Sequence, residues 1–130
     1  MIRLSLTVLA LAFGTSAIAD TLPTRVGECV TTTVKQVETR LVDGNTNIPV
    51  PGSGSAVEFA NGGYQVSYDQ VQAVDRSRPG DPAKMCLVFV PKRDKDCAPG
   101  DDRGVIYKTT NLRTHESWTL PNSEHPCGGA

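Results

Sequence analysis

Four cysteines, Cys29, Cys86, Cys97 and Cys127, in a chain poor in large apolar side chains limit what this sequence can fold into more than any other feature. A domain of this size buries only roughly 60–70% of the surface its unfolded chain exposes. One Trp, three Tyr and three Phe leave it a thin core. Two disulfides would each add about 2–4 kcal/mol, mostly by restricting the unfolded chain. Four cysteines allow three pairings. The favoured one joins Cys29 to Cys127, tying the two ends, and Cys86 to Cys97, closing a local loop. Cys29 with Cys86 and Cys97 with Cys127 is the second choice. A zinc site is the competing use of the same residues. The chain has no C-x-x-C, its cysteine spacings are long and irregular, and only His115 and His125 are available to join them, so neither a metal nor a cofactor is expected.

Disulfides persist in oxidising compartments, and the N-terminus supplies a route to one. Arg3 gives a positive start, residues 4–13 are an apolar run, and Ala17-Ile18-Ala19 is an A-x-A cleavage site. Residues 1–19 therefore read as a signal peptide, with Asp20 the first mature residue and residues 20–130 a single β domain. The apolar run is about half the twenty or so residues a membrane-spanning helix needs. No cysteine follows the cleavage point to carry a lipid, so no membrane anchor is expected. The place of work is then the periplasm or the medium. The whole chain carries 13 Lys and Arg against 14 Asp and Glu. It has no basic stripe to displace counterions from phosphates, which argues against a nucleic-acid partner.

The elements read as strands. Residues 29–42 are rich in Val and Thr, which favour a pleated surface, although Val26, Val30, Val34, Val37 and Leu41 recur at helical spacing. Residues 43–55 hold Asp-Gly, two prolines and alternating Gly and Ser, and form a loop long enough to be a binding element. Residues 56–68 contain Asn61-Gly62, the pair suited to a two-residue type I′ turn. Such a turn would set Phe59 opposite Tyr64, Val57 opposite Val66 and Ser55 opposite Tyr68. Residues 69–75 are a short continuation or a helical turn. Residues 85–90, MCLVFV, read as a central strand buried on both faces, and residues 92–104 as a charged loop. Over residues 105–120, a four-residue loop at 112–115 would set Tyr107 opposite Leu120 and Thr109 opposite Trp118. Five or six short antiparallel strands stapled by two disulfides make a small all-β barrel or sandwich.

Candidate sites are few. A nucleophilic triad needs a positioned base, but His115 falls at a hairpin tip and His125 in a tail, and no G-x-S-x-G elbow is present. Asp94, Asp96, Asp101 and Asp102 crowd one loop, yet they alternate with Lys92, Arg93, Lys95 and Arg103. That mixture suits a solvated loop better than a paired-carboxylate or calcium site. Gly52-Ser53-Gly54-Ser55 and Gly62-Gly63 are turn glycines, since no helix N-terminus follows them to bind phosphate. What remains is surface recognition. Ser53, Ser55, Tyr64, Tyr68 and Arg113 are the candidate partner contacts, framed by loops 43–55 and 92–104. Trp118 and Tyr107 are assigned to the core.

An exported single β domain of about 110 residues with two disulfides is similar in plan to the small periplasmic inhibitors of lysozymes. Gly52-Ser53-Gly54-Ser55 followed by aromatic strands is the part that carries the likeness. It covers four residues, without the rest of such a motif, and implies an inhibitor that uses a loop. The leading expectation is a non-enzymatic module that binds another protein or a cell-wall glycan. A small hydrolase using His115 or His125 with the Asp94–Asp102 loop is the alternative, and a structural envelope component is a third.

Overall fold

The chain lays down β1 (Cys29–Thr39), β2 (Ser55–Phe59), β3 (Tyr64–Ser67), a four-residue helix α1 (Gln72–Asp75), β4 (Pro82–Phe89), β5 (Ile106–Asn111) and β6 (Ser117–Pro121). The computed structural model describes residues 9–12, 14, 18, 21–93 and 95–127. The cleavage-site residues Ala17, Ala19 and Asp20 lie outside that set, as do Asp94 and residues 128–130. Among the described residues no helix is long and apolar enough to cross a membrane.

All six strands form one antiparallel sheet in the order β3-β2-β1-β4-β5-β6, curled into a half-barrel. The curl comes from β1. Its first half pairs with β4, from Cys29 opposite Cys86 to Thr33 opposite Pro82. Its second half pairs with β2, from Val34 opposite Phe59 to Thr39 opposite Ser55. A bulge between Val34 and Gln36 marks the change of partner, and bulges bend and twist the strand that carries them. The bulge also accounts for the helical spacing in the sequence. Val30 and Val34 face inward on a period of two, the extra residue reverses the alternation, and Val37 faces inward again opposite Val57.

The concave side holds the core: Val34, Val57, Phe59, Val74, Ala83, Met85, Leu87, Val105, Tyr107 and Trp118. Trp118 and Tyr107 are buried as expected. Strand β4 is central in the sheet but is not buried on both faces. Met85 and Leu87 point inward, while Val88, Phe89 and Val90 are each nearly half exposed. A single curled sheet has one interior, and among the described residues no second sheet covers the convex side.

Two disulfides staple the half-barrel, in the pairing ranked second from sequence: Cys29–Cys86 and Cys97–Cys127. The favoured pairing fails because β1 lies beside β4, which sets Cys29 directly across from Cys86 with Cα atoms 4.0 Å apart. Cys127 is left to reach Cys97 in the charged loop, at a Cα separation of 5.2 Å.

The two hairpins had different fates. Between β5 and β6 the four-residue loop forms as expected, with Tyr107 opposite Leu120 and Thr109 opposite Trp118. His115 closes that loop at a φ of 61°. Between β2 and β3 the register is one residue away from expectation: Glu58 faces Tyr64, Val57 faces Gln65 and Ser55 faces Ser67. The loop has three residues rather than two, because Gly62 N–H donates to Phe59 O (3.0 Å) and Phe59 N–H to Gly63 O (2.9 Å). Only Gly62 takes a positive φ, 86°. Asn61 is held elsewhere, its side-chain oxygen accepting from Gly63 N–H and its amide donating to Thr21 O.

A one-residue slip exchanges the two faces of a strand. Gln65 therefore points inward, and Tyr64, Val66 and Tyr68 share the convex face. Turned inward, Gln65 joins the two ends of the sheet. Its amide donates to Tyr107 O (2.8 Å) and Leu120 O (3.0 Å), and its oxygen accepts from Thr109 Oγ1 (2.7 Å) and Trp118 Nε1 (2.8 Å). One fully buried side chain thus does across the interior what a ladder would do between β3 and β6 in a closed barrel.

Candidate functional site

The connection from β1 to β2 is an ordered arm. Its strands extend past the sheet through Arg40 N–H to Gly54 O (3.0 Å), Val50 N–H to Leu41 O (3.0 Å) and Asp43 N–H to Ile48 O (2.8 Å). Val42 and Pro49 form a bridge between them. Asp43 shapes the tip, its carboxylate accepting from the N–H groups of Asn45 and Thr46. Those bonds hold its pKa below the usual value, the one from Thr46 contributing most. The arm covers no part of the core. Leu41, Val42, Ile48 and Val50 are exposed, Ile48 at 60%. The bridge register sets Leu41 beside Val50, with Ile48 on the same face and Val42 on the other. Four exposed aliphatic side chains on a protruding, hydrogen-bonded arm are the kind of patch that marks interaction sites.

At the root of the arm lies a cleft of about 180 Å³. Its floor is Val66 and its sides are Arg40, Tyr64, Tyr68, Glu124 and His125. The corrected β3 register brings Tyr64, Val66 and Tyr68 onto one face. Arg40 enters from just beyond the end of β1, and its guanidinium sits 4.4 Å from the centroid of the Tyr68 ring. The Arg40 Nε–H donates to Ser53 O (2.6 Å), so the cation is fixed at the point where the arm leaves the sheet. Between them, Gly54 has a φ of 114°, and a Cβ built on it would lie 2.0 Å from Ser67 O.

The far wall is the strap that follows β6. Asn122 accepts from Gly104 N–H (2.8 Å) and donates to Asp102 O (2.9 Å), and Ser123 closes a turn with the backbone of His125. Glu124 accepts from Tyr68 N–H (3.1 Å), and His125 Nε2 lies 2.9 Å from the Tyr68 hydroxyl. Cys97–Cys127 pins the end of the strap. Burial pushes the Tyr64 phenol above its usual value, with Glu38 and Glu58 adding to the shift. Burial likewise raises the Glu38 carboxyl, with a smaller push from Glu58.

The structure spreads the sequence candidates widely. Tyr64 and Tyr68 meet in the cleft. Ser53 lies at its edge, its hydroxyl accepting from Leu41 N–H and its carbonyl from Arg40. Ser55 was expected on a contact surface and is instead fully buried. Its hydroxyl donates to Asp75 (2.7 Å) and accepts from Val71 N–H (2.9 Å), because it lies on the inward face of β2 with Val57 and Phe59. Arg113, a candidate partner contact, is exposed at the hairpin tip and tied to buried Asp81 through Nε (2.6 Å) and a terminal nitrogen (3.0 Å). Asn111 and the Arg78 N–H also donate to Asp81. Arg113 first, and Asn111 after it, hold that carboxyl far below the ordinary range.

Asp101 is paired with Arg103 (2.8 Å), Asp94 lies outside the described residues, and His115 is exposed at the β5–β6 tip. Among the described residues no cluster of three or more His, Cys, Asp or Glu is arranged to hold a metal. The features missed from sequence are Arg40, Glu124 and the strap. Their roles depend on long-range contacts that leave no local signal. Comparison with known protein families, with curated proteins and with solved structures returns no match.

Proposed function

We propose that the protein is a non-enzymatic binding module working outside the cytoplasm, attaching to another macromolecule through the arm at residues 41–52 and the cleft at its root. The observation that carries this reading is the arm itself. Its backbone is hydrogen-bonded into one shape, its aliphatic side chains face solvent, and it contributes nothing to the core. A preformed contact surface binds without the entropic cost of ordering a loop. Two disulfides and a cleavable leader fit an exported life, in which covalent staples stand in for a large core.

The test compares the oxidised protein with an Ile48→Asp variant as baits in envelope extract, after cross-linking. The expected result is a specific protein or glycan partner captured by the first and lost by the second, with thermal stability little changed because Ile48 is 60% exposed and lies outside the core. Absence of any partner with both baits counts against the module. The hydrolase reading retains one supporting observation, the presence of His125 and Glu124 in a single cleft. Screening glycan, peptide and ester substrates before and after His115→Ala and His125→Ala decides it. Activity lost with either change would favour an enzyme.

A further inference from the structure

Tyr64, Tyr68, Arg40, Glu124 and His125 bring aromatic walls and hydrogen-bonding groups of both senses to one small cleft. Much of that capacity is unused among the described residues. Arg40 engages only Nε, leaving both terminal nitrogens as donors. Glu124 uses one oxygen on Tyr68 N–H, leaving the other as an acceptor. His125 engages only Nε2, leaving Nδ1.

We infer that this cleft holds one sugar ring of an uncharged glycan chain. The inference rests on the binding-module reading and names the ligand class for one part of its surface. Four arguments select that class. A cleft of about 180 Å³ is smaller than the usual pocket for a drug-sized molecule. It therefore suits a single ring, with the chain continuing out at either side. An anion would meet Glu124 inside the cleft and Glu38 and Glu58 beyond Tyr64, whereas a cation would meet Arg40, so a neutral ligand is opposed least. Hydroxyl groups both donate and accept, and so can answer Arg40 and Glu124 at once. Finally, Val66 and the two tyrosines offer flat apolar surface to the C–H faces of a ring, and too little of it for a lipid chain. A peptide also carries donors and acceptors, but it would need the free edge of β3, where Tyr68 N–H is already bonded to Glu124. The site is preorganised: Ser53 and Tyr68 hold Arg40, and Asn122 and Cys97–Cys127 hold the strap.

The experiment is an amide NMR titration of the oxidised protein with chitotetraose, cellotetraose and maltotetraose. An oligogalacturonate and a capped tripeptide serve as acidic and peptide comparators. Saturable binding to at least one neutral tetrasaccharide is expected, with a Kd of about 1 mM or tighter, and with shifts centred on Arg40, Tyr64, Tyr68 and residues 122–125. Tyr68→Ala and Glu124→Gln should each weaken it about tenfold or more, and Leu112→Ala at the remote hairpin tip should leave it unchanged. Tyr68 and Glu124 lie outside the core, and near-ultraviolet dichroism of buried Trp118 checks that each variant is folded. Three results would overturn the inference: no saturation by any neutral tetrasaccharide, binding that survives both cleft variants, or preference for the acidic fragment or the tripeptide. If sugars fail while arm-dependent capture persists, only the ligand class is wrong. If capture fails as well, the module reading falls with it.

Discussion

Replacing Gln65 with Leu tests whether a single buried amide holds the two ends of the sheet together. Leucine is close to Gln in size and keeps the interior filled, so the perturbation falls on four hydrogen bonds rather than on packing. Tyr107 and Leu120 are paired in the β5–β6 ladder, where the N–H of each remains a donor for the carbonyl of the other. The Trp118 indole N–H and the Thr109 hydroxyl are left without their acceptor, and each stranded buried donor costs about 1–3 kcal/mol. Burying the more apolar Leu recovers part of this, which leaves a net loss of about 2–4 kcal/mol. For a domain of this size that lowers Tm by roughly 10–20 °C. The assay is urea unfolding followed by the fluorescence of the only Trp in the chain. That probe also senses the lost hydrogen bond directly, as a change in native-state emission before any unfolding. A midpoint shift equivalent to less than about 1 kcal/mol at unchanged m-value, with unaltered emission, would show that the amide is incidental to closure.

Asp81 gives a pH test. Its folded pKa lies below its unfolded one, so its contribution to stability is complete above the ordinary carboxylate value of about 4 and is lost as pH falls below it. Unfolding midpoints measured on the acid side of pH 4 should fall steeply for the natural protein and less steeply for Asp81→Asn. Parallel curves would argue against the Arg113 pairing. Replacing Cys97 and Cys127 together with Ser opens a loop whose ends are 30 residues apart, and should cost about 3–4 kcal/mol. Hydrogen exchange should accelerate at residues 122–127 and at Tyr68 before it does in β4 and β5. Uniform acceleration would mean that the strap is not a separate element. Gly54→Ala places a Cβ against Ser67 O at a φ that side chains avoid, and should cost more than about 2 kcal/mol. A neutral result in thermal melts would contradict the close approach of β2 and β3.

Much of the fold was legible because local chemistry and global topology agree where turns are short. The β5–β6 loop length alone set Tyr107 against Leu120 and Thr109 against Trp118, and the pattern of apolar residues on both strands concurred. Asn61-Gly62 misled for a definable reason. The pair serves a two-residue turn only if Asn61 takes a positive φ, and here contacts with Thr21 and Gly63 hold Asn61 while Gly62 alone turns over. The resulting slip concealed both Gln65 as an interior bridge and the shared face of Tyr64 and Tyr68. The partner of β1 was equally hidden. No short-range signal says that residues 29–33 lie beside β4, and the disulfide pairing follows from that neighbour rather than from cysteine spacing. The arm was visible as a loop rich in Gly and Pro, but its cross-bonds were not.

The bond between Cys97 and Cys127 has a mechanical meaning. It ties the charged segment at 92–104 to one lip of the opening beside Tyr68, while Arg40 and Ser53 root the arm in the other lip. The two projections are thus fastened to different sides of the same small mouth, one by a covalent bond and the other by a hydrogen bond.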